Sequence, residues 1–262
     1  MNIAGYPLWA VAVICLGVFV ASCVDAIGGG GGLISLPVYM LVGLPTHNAL
    51  GTNKLSACIG TTASTFRYLK KGYVNWGLAL PSIALAMLGS TFGTRLQLMV
   101  NERVLRYVLI VVLLLVAAVM LKKKEFSDTP GEIDPWRQRF IVWGAALVVG
   151  LYDGFYGPGT GTFLLIAFCR LAKMDLRTAS GNVKIVNLSS NIAAVVTSLL
   201  AGTVLVPLGL IAAVFAFAGQ YIGAGLMIKN GTKIVTPVIL TVLALLLLKI
   251  VLELLGVPLF GA

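Results

Sequence analysis

The sequence predicts an all-α fold: a polytopic transmembrane helical bundle of two inverted-topology repeats that contains discontinuous or re-entrant helices. Of the 262 residues, 59% are hydrophobic and 11% are charged, which is more apolar surface than a water-soluble core of this size can bury. The apolar runs are long and continuous, and in lipid only helices or closed barrels satisfy the backbone polar groups. The two halves of the chain also resemble each other, which predicts the repeats.

Ten apolar segments, bounded by Gly, Pro or charged residues, follow one another along the chain. They cover 7–24, 33–44, 49–66, 73–98, 103–121, 138–152, 161–172, 178–200, 203–228 and 233–255. The second and the seventh hold a dozen residues each, or roughly 18 Å of helix, against about 30 Å of hydrocarbon. These two segments cannot cross alone as straight helices, and the sequence leaves open whether they span in broken form or re-enter.

The two halves align at an offset of 130 residues over most of their length. Lys54 falls on Lys184 at that offset, whereas Asp25 falls on Asp153 at an offset of 128. Paired charges inside apolar segments rarely arise by chance, so we interpret the halves as a duplication. Small-residue helix contacts are also predicted at two corresponding motifs, Gly89-x3-Gly93 and Gly219-x3-Gly223.

The polar stretch 122–137 separates an N-terminal transmembrane repeat, 1–121, from a C-terminal transmembrane repeat, 138–262. If this linker is cytoplasmic, most of the 19 Lys and Arg residues lie on the cytoplasmic side. Each half then crosses an odd number of times, which predicts inverted repeats, both termini outside, and the inner membrane of a prokaryote. The formal net charge of +10 is therefore a topology signal, and no nucleic-acid partner is predicted.

Two glycine-rich breaks, at 25–32 and 153–162, lie where the two short segments begin. Consecutive glycines disfavour a helix interior by about 1 kcal/mol each relative to Ala. Their free N–H groups, at the positive end of a following helix, can form an anion site, and close helix packing through glycine is the alternative. The backbone candidates for anion binding are Gly29, Gly30, Gly31, Gly157, Gly159 and Thr160.

Lys54 and Lys184 lie about six residues inside otherwise small or apolar segments. A buried ammonium costs a few kcal/mol unless it finds a partner or reaches water. Snorkelling toward the nearer interface is one interpretation, but recurrence in both repeats favours a substrate path. Asp25 and Asp153 could pair with these lysines, cap the glycine-rich turns, or accept the proton of a coupled cycle. The accompanying substrate-binding candidates are Thr52, Asn53, Asn182, Asn187 and Asn191.

The four cysteines stand singly in apolar stretches and there is one histidine, so no metal site and no cofactor are predicted. The chain also has no GxSxG, HExxH or Cys/His constellation of an intramembrane enzyme. An enzyme is therefore not predicted.

Four stretches together resemble the TauE/SafE sulfite exporter family over essentially the whole chain: 25–37, 49–54, 157–159 and 179–184. The resemblance implies a polytopic membrane protein that moves sulfite, sulfoacetate or related organosulfur anions. The predicted function is secondary transport of a small sulfur oxyanion or organosulfonate, such as sulfite, sulfoacetate or thiosulfate, across the cytoplasmic membrane by alternating access. An anion channel, or a transporter of another small organic anion, is the alternative. The predicted partners are a small anionic substrate and the lipid bilayer, with proton or ion coupling and a homodimer left open.

Overall fold

The structure, a computed structural model, describes residues 2–3, 5–102, 104–105, 126–235, 237, 238 and 241. A short antiparallel hairpin, β1 (Asn2–Ile3) and β2 (Tyr6–Pro7), opens the chain. The helices that follow are α1 (Leu8–Gly28), α2 (Gly32–Leu41), α3 (Thr46–Lys70), α4 (Trp76–Met99), α5 (Pro135–Phe155), α6 (Thr160–Ile166), α7 (Leu176–Leu200) and α8 (Val206–Asn230). A π-helical turn, Ala167–Leu171, continues α6. Most of the predicted segments 103–121 and 233–255 lie outside the described residues.

Within the described residues, four helices are long and apolar enough to cross a membrane: α1, α4, α7 and α8. The predicted all-α class is confirmed for the body of the protein, since β1 and β2 contribute only two residues each. This hairpin was not predicted, because a strand pair joined through Gly5, with φ of 86°, is too short to show any alternation. As predicted, the second and seventh segments form short helices, and α2 has 10 residues, or roughly 15 Å.

The glycine run ends α1, but later than the apolar pattern indicates. The helix continues through Asp25 to Gly28, and the chain then turns at Gly29 and Gly30, whose φ angles are 77° and 88°. L-residues with a side chain rarely adopt such angles. Asp25 therefore lies in the last turn of α1 rather than after it, with its side chain beside the break.

The start of α5 lies within the predicted linker 122–137. Asp134 caps this helix, because its carboxylate accepts a hydrogen bond of 3.0 Å from the backbone N–H of Arg137. Pro135 occupies the first helical position, where its missing N–H costs nothing. The second half thus opens with a helix of 21 residues, as many as α1 has.

The predicted small-residue motifs join the two halves. Gly89 and Gly93 of α4 lie against the backbone of α5, and a Cβ atom at Gly89 would come 2.8 Å from the backbone nitrogen of Leu151. Gly219 and Gly223 of α8 lie against α1 in the same way. Each half therefore packs the fourth helix of its own sequence on the first helix of the other half.

The central helices α3 and α7 run antiparallel. The Lys54 ammonium lies 3.3 Å from the Asn191 side-chain oxygen, and farther along α3 the Thr65 hydroxyl donates to the carbonyl of Lys184. Residue numbers therefore rise along α3 as they fall along the neighbouring α7. These two helices, which align with each other in sequence, bring Lys54 and Lys184 into the middle of the molecule.

Candidate functional site

A cavity of about 60 Å³ lies where the broken helices meet α3, α7 and α8. At about 10–15 Å³ for each water, it has room for roughly four to six waters or one small anion. Its polar lining comes from Ser22, Asp25, Ser35, Asn53, Lys54, Ser56, Thr61, Asp153, Thr160, Asn187, Asn191 and Gln220, and its backbone lining includes Gly31, Gly32, Gly157 and Gly161.

The first charged pair of the cavity joins Lys54 to Asp153, so it links α3 of the first half to α5 of the second. The ammonium lies 2.8 Å from the carboxylate, and both side chains are less than a tenth exposed. Asp153 also accepts hydrogen bonds from the hydroxyls of Ser190 at 2.7 Å and Thr160 at 2.8 Å. The Thr160 hydroxyl also lies 2.6 Å from the Gly157 carbonyl, so its one proton is shared between two acceptors. The ion pair and these hydrogen bonds together offset the cost of burying the carboxylate.

The second charged pair joins Lys184 to Asp25, so here the lysine belongs to the second half and the acid to the first. The ammonium lies 2.8 Å from Oδ2 of the carboxylate and 2.7 Å from the backbone oxygen of Asp25. The Gln220 side-chain amide donates to the same Oδ2 at 2.8 Å. Oδ1 has one longer contact, 3.3 Å from the N–H of Gly31, so the carboxylate, and not a ligand, takes up this glycine N–H.

The two pairs differ in their relation to the cavity. Lys54 lines the cavity, whereas Lys184 does not. The Asp25 side chain is 21% exposed, against 6% for Asp153. The cavity thus reaches the acid of one pair and both members of the other.

Of the residues predicted from sequence to bind substrate, the structure brings one set together around the cavity. These are Asn53, Lys54, Gly31, Gly157, Thr160, Asn187 and Asn191, together with both predicted acids, Asp25 and Asp153. Asp25 and Asp153 pair with the lysines and also receive donors from the glycine-rich breaks. Pairing and capping therefore occur together at each acid.

The remaining predicted residues lie away from the cavity: Lys184, Thr52, Asn182, Gly29, Gly30 and Gly159. The Thr52 hydroxyl accepts from the N–H of Leu205, and the Asn182 amide donates to the Thr178 carbonyl in its own helix. A Cβ atom at Gly29 would overlap the backbone of the second break. In this conformation, Lys184, Thr52 and Gly29 contact the other half of the protein.

Sequence reasoning missed two contacts to the acids, one from Gln220, which lines the cavity, and one from Ser190, which does not. Gln220 is 2% exposed and contacts Asp25. Its signal was an uncharged amide between Gly219 and Gly223, inside an otherwise apolar helix. The contact of Ser190 with Asp153 depends on how α5 and α7 pack and cannot be predicted from α7 alone.

Known proteins identify the family. The description "Sulfite exporter TauE/SafE" belongs to the family model that matches residues 13–250. The chain belongs to the TauE/SafE family. The TauE/SafE chain is 32% identical to the probable membrane transporter protein YfcA of Escherichia coli K12, over 93% of this chain and 92% of that one.

Two further relatives carry similar names. The chain is 31% identical to the probable membrane transporter protein ORF9 of Sinorhizobium sp, over 88% of each chain. It is also 31% identical to a probable membrane transporter protein of Haemophilus influenzae, over 90% of this chain and 91% of that one. No solved structure matches. The TauE/SafE protein is therefore a membrane protein of a transporter family.

Proposed function

We propose that this protein is a secondary transporter of a small sulfur oxyanion or organosulfonate, of the sulfite, sulfoacetate and thiosulfate class. The observation that carries the proposal is the cavity flanked by two Lys–Asp pairs, each of which crosses between the two halves. Lys54 offers a cation at the cavity wall, and Asn53, Asn191 and Thr160 add hydrogen-bonding groups. The sulfur class rests on the family description.

The architecture that supports transport is a pair of inverted repeats in the inner membrane, with both termini outside. The antiparallel course of α3 and α7 supports the inversion, because aligned helices of inverted repeats must run in opposite directions. The short helices α2 and α6 follow the two breaks and fit re-entrant or discontinuous segments. The sidedness rests on the cytoplasmic excess of Lys and Arg.

Alternating access is supported by the uneven lining of the cavity. Asn53, Lys54 and Ser56 line it, while their aligned counterparts Val183, Lys184 and Val186 do not. A second conformation, in which the two halves exchange roles, would bring the Lys184 side to the cavity. Vectorial movement of an unchanged solute, and not catalysis, is the activity that this arrangement serves.

Counterflow in proteoliposomes tests the proposal. Vesicles preloaded with sulfite, thiosulfate, sulfoacetate, sulfate or chloride are diluted, and uptake of the labelled anion is followed. We expect one or more of the three sulfur anions of the proposed class to drive exchange. A current without counterflow would instead indicate a channel, and exchange of none of these anions would overturn the sulfur class.

A neutral double variant, Lys54→Met with Asp153→Asn, tests the site within the same assay. Removing both charges avoids leaving one buried ion unpaired, which would destabilise the protein by itself. We expect counterflow to fall at least tenfold, because a charged hydrogen-bond donor to the anion is worth about 1.5–3 kcal/mol. Lys70→Ala is the matched control, since Lys70 is an exposed lysine at the end of the same helix. Wild-type counterflow in the double variant would exclude Lys54 from the site.

A further inference from the structure

We propose that the transported anion crosses together with a proton carried on Asp25, and that Asp153, its aligned counterpart, stays ionised as a structural partner of Lys54. This inference rests on the proposed function and specifies its coupling. It assigns different roles to two acids that the repeat relates.

The first observation is the charge balance of the cavity region. Lys54 and Asp153 form one ion pair, and Lys184 and Asp25 form the other. Their charges cancel, so the charge of an added anion would be uncompensated among apolar helices. A proton on one of the two carboxylates releases the charge of its lysine, which offsets one negative charge of the anion.

The second observation is the difference between the two carboxylates. In Asp153, Lys54 and Ser190 donate to Oδ2. The Thr160 hydroxyl lies 2.8 Å from Oδ1 and shares its one proton between Oδ1 and the Gly157 carbonyl. In Asp25 both short donors converge on Oδ2, and Oδ1 has only the 3.3 Å contact from Gly31. Donors to a carboxylate favour its charged form, so Oδ1 of Asp25, which has only this long contact, is the oxygen that can take a proton.

The third observation concerns Gln220, which lines the cavity and is 2% exposed. Its Nε2 donates to Asp25, which fixes the orientation of the amide and leaves its Oε1 with no hydrogen-bond partner among the described residues. An amide can donate to a carboxylate or, after rotation of its end, accept from a carboxylic acid. The aligned residue Ser90 instead donates to the Ser190 carbonyl, so Asp153 has no amide partner from the corresponding position.

Within the described part of the chain, few charged groups lie around Asp25. They are Lys184, which reaches Asp25 from α7, Lys54 on α3 and Asp153 on α5. Among the described residues, α2, α6 and α8 add only uncharged side chains to the lining. When Asp25 takes a proton, Lys184 keeps its hydrogen bond to the Asp25 backbone oxygen but loses its counter-ion. The region then carries one net positive charge for one negative charge of the anion.

Thiosulfate transport under an imposed pH gradient tests the coupling, because thiosulfate is fully ionised near neutral pH and cannot itself carry the proton. Proteoliposomes receive labelled thiosulfate with or without an alkaline interior, and a trapped dye reports internal pH. For wild type we expect uptake to rise at least fivefold with the gradient and about one proton to enter per anion. The readout for each variant is the ratio of uptake with and without the gradient, so a lower absolute rate does not affect it.

Four variants separate the two acids. For Asp25→Asn we expect the ratio to fall to about one, whereas Asp25→Glu should restore it. For Asp153→Asn we expect the ratio of its remaining flux to match wild type. For Gln220→Met, which keeps both ion pairs, we expect the midpoint of the pH dependence to move about one unit to higher pH. The reason is that the charge-assisted hydrogen bond from the amide to the carboxylate is stronger than the bond that the amide oxygen accepts from the neutral acid.

The outcomes distinguish this inference from the proposed function. Thiosulfate counterflow without proton entry in wild type would overturn the coupling and leave the transporter intact. A wild-type ratio in Asp25→Asn would move the proton away from Asp25. If Asp25→Asn carries no flux, the Gln220→Met midpoint decides, and an unshifted midpoint overturns the assignment. Failure of counterflow with thiosulfate and with the other sulfur anions would overturn the proposed function itself.

Discussion

At the residue scale, each of the two buried ion pairs combines a desolvation cost with an electrostatic gain. Desolvating Lys54 and Asp153 is costly, and their mutual attraction and hydrogen bonds offset that cost only while both partners are present. Removing one partner leaves the other charge buried and uncompensated. The pairs therefore tie the two halves together without necessarily adding stability over a neutral pair of the same shape.

This asymmetry gives a stability prediction for the purified protein in detergent. Lys54→Met alone should destabilise the fold by about 3–5 kcal/mol, and adding Asp153→Asn should recover most of that loss. Thermal unfolding of the two variants beside wild type measures both effects. Exposed Lys70 supplies the comparison, since Lys70→Met should change stability by no more than about 0.5 kcal/mol. A double variant as unstable as the single one would show that the lost contacts, and not the orphaned Asp153, matter.

Sequence reasoning found the charged residues but not how they pair. The aligned positions of Lys54 with Lys184 and Asp25 with Asp153 marked them as a set, because charges in apolar segments are rare. That each lysine reaches the acid of the other half depends on helix packing across the repeat interface, which no local pattern contains. Gln220 was missed for the same reason: its role appears only when α8 lies on α1.

At the element scale, the long helices and the two short ones were predictable from the lengths of apolar runs. Helix ends were less so: α1 runs on into the glycine run as far as Gly28, and α5 begins at Pro135 within the expected linker. The hydrophobic pattern does not show which glycine of a run ends the helix. In this protein α1 ends where two consecutive residues, Gly29 and Gly30, adopt positive φ. The helix contacts of the two glycine motifs were easier to predict, because a close contact between helices requires small residues whichever helix is the partner.

The contact between α4 and α5 gives a prediction with an internal control. A Cβ atom at Gly154 would meet the Cα of Ser90 at 2.7 Å, whereas at Gly144 of the same helix it would meet nothing within 4 Å. Gly154→Ala should destabilise the protein by about 1–3 kcal/mol through overpacking, and Gly144→Ala should be neutral or stabilise it by up to about 1 kcal/mol. Thermal unfolding of both variants measures this difference, and equal midpoints would contradict the tight interface.

At the scale of the whole molecule, the aligned halves do not treat the cavity equally. Asn53 lies at its wall and is partly exposed, while the aligned Val183 is 2% exposed and away from it. The polar wall near the start of α3 therefore has an apolar counterpart near the start of α7. If the halves exchange conformations during transport, these two positions must exchange accessibility as well.

Paired cysteine labelling tests this exchange directly. In a background without the four native cysteines, Asn53→Cys and Val183→Cys are probed in oriented vesicles with a membrane-impermeant maleimide added from either side. Without substrate, the cysteine at position 53 should react from the side where α3 begins, and the one at 183 should be protected. A saturating transported anion should slow the first reaction and speed the second, each by about threefold or more, because one population grows at the expense of the other.

Lipid-facing Val196, which is 51% exposed on α7, gives the control Val196→Cys, whose reactivity should not respond to the anion. Acceleration at both positions, or reaction of both from the same side at once, would indicate a continuous channel and exclude alternating access.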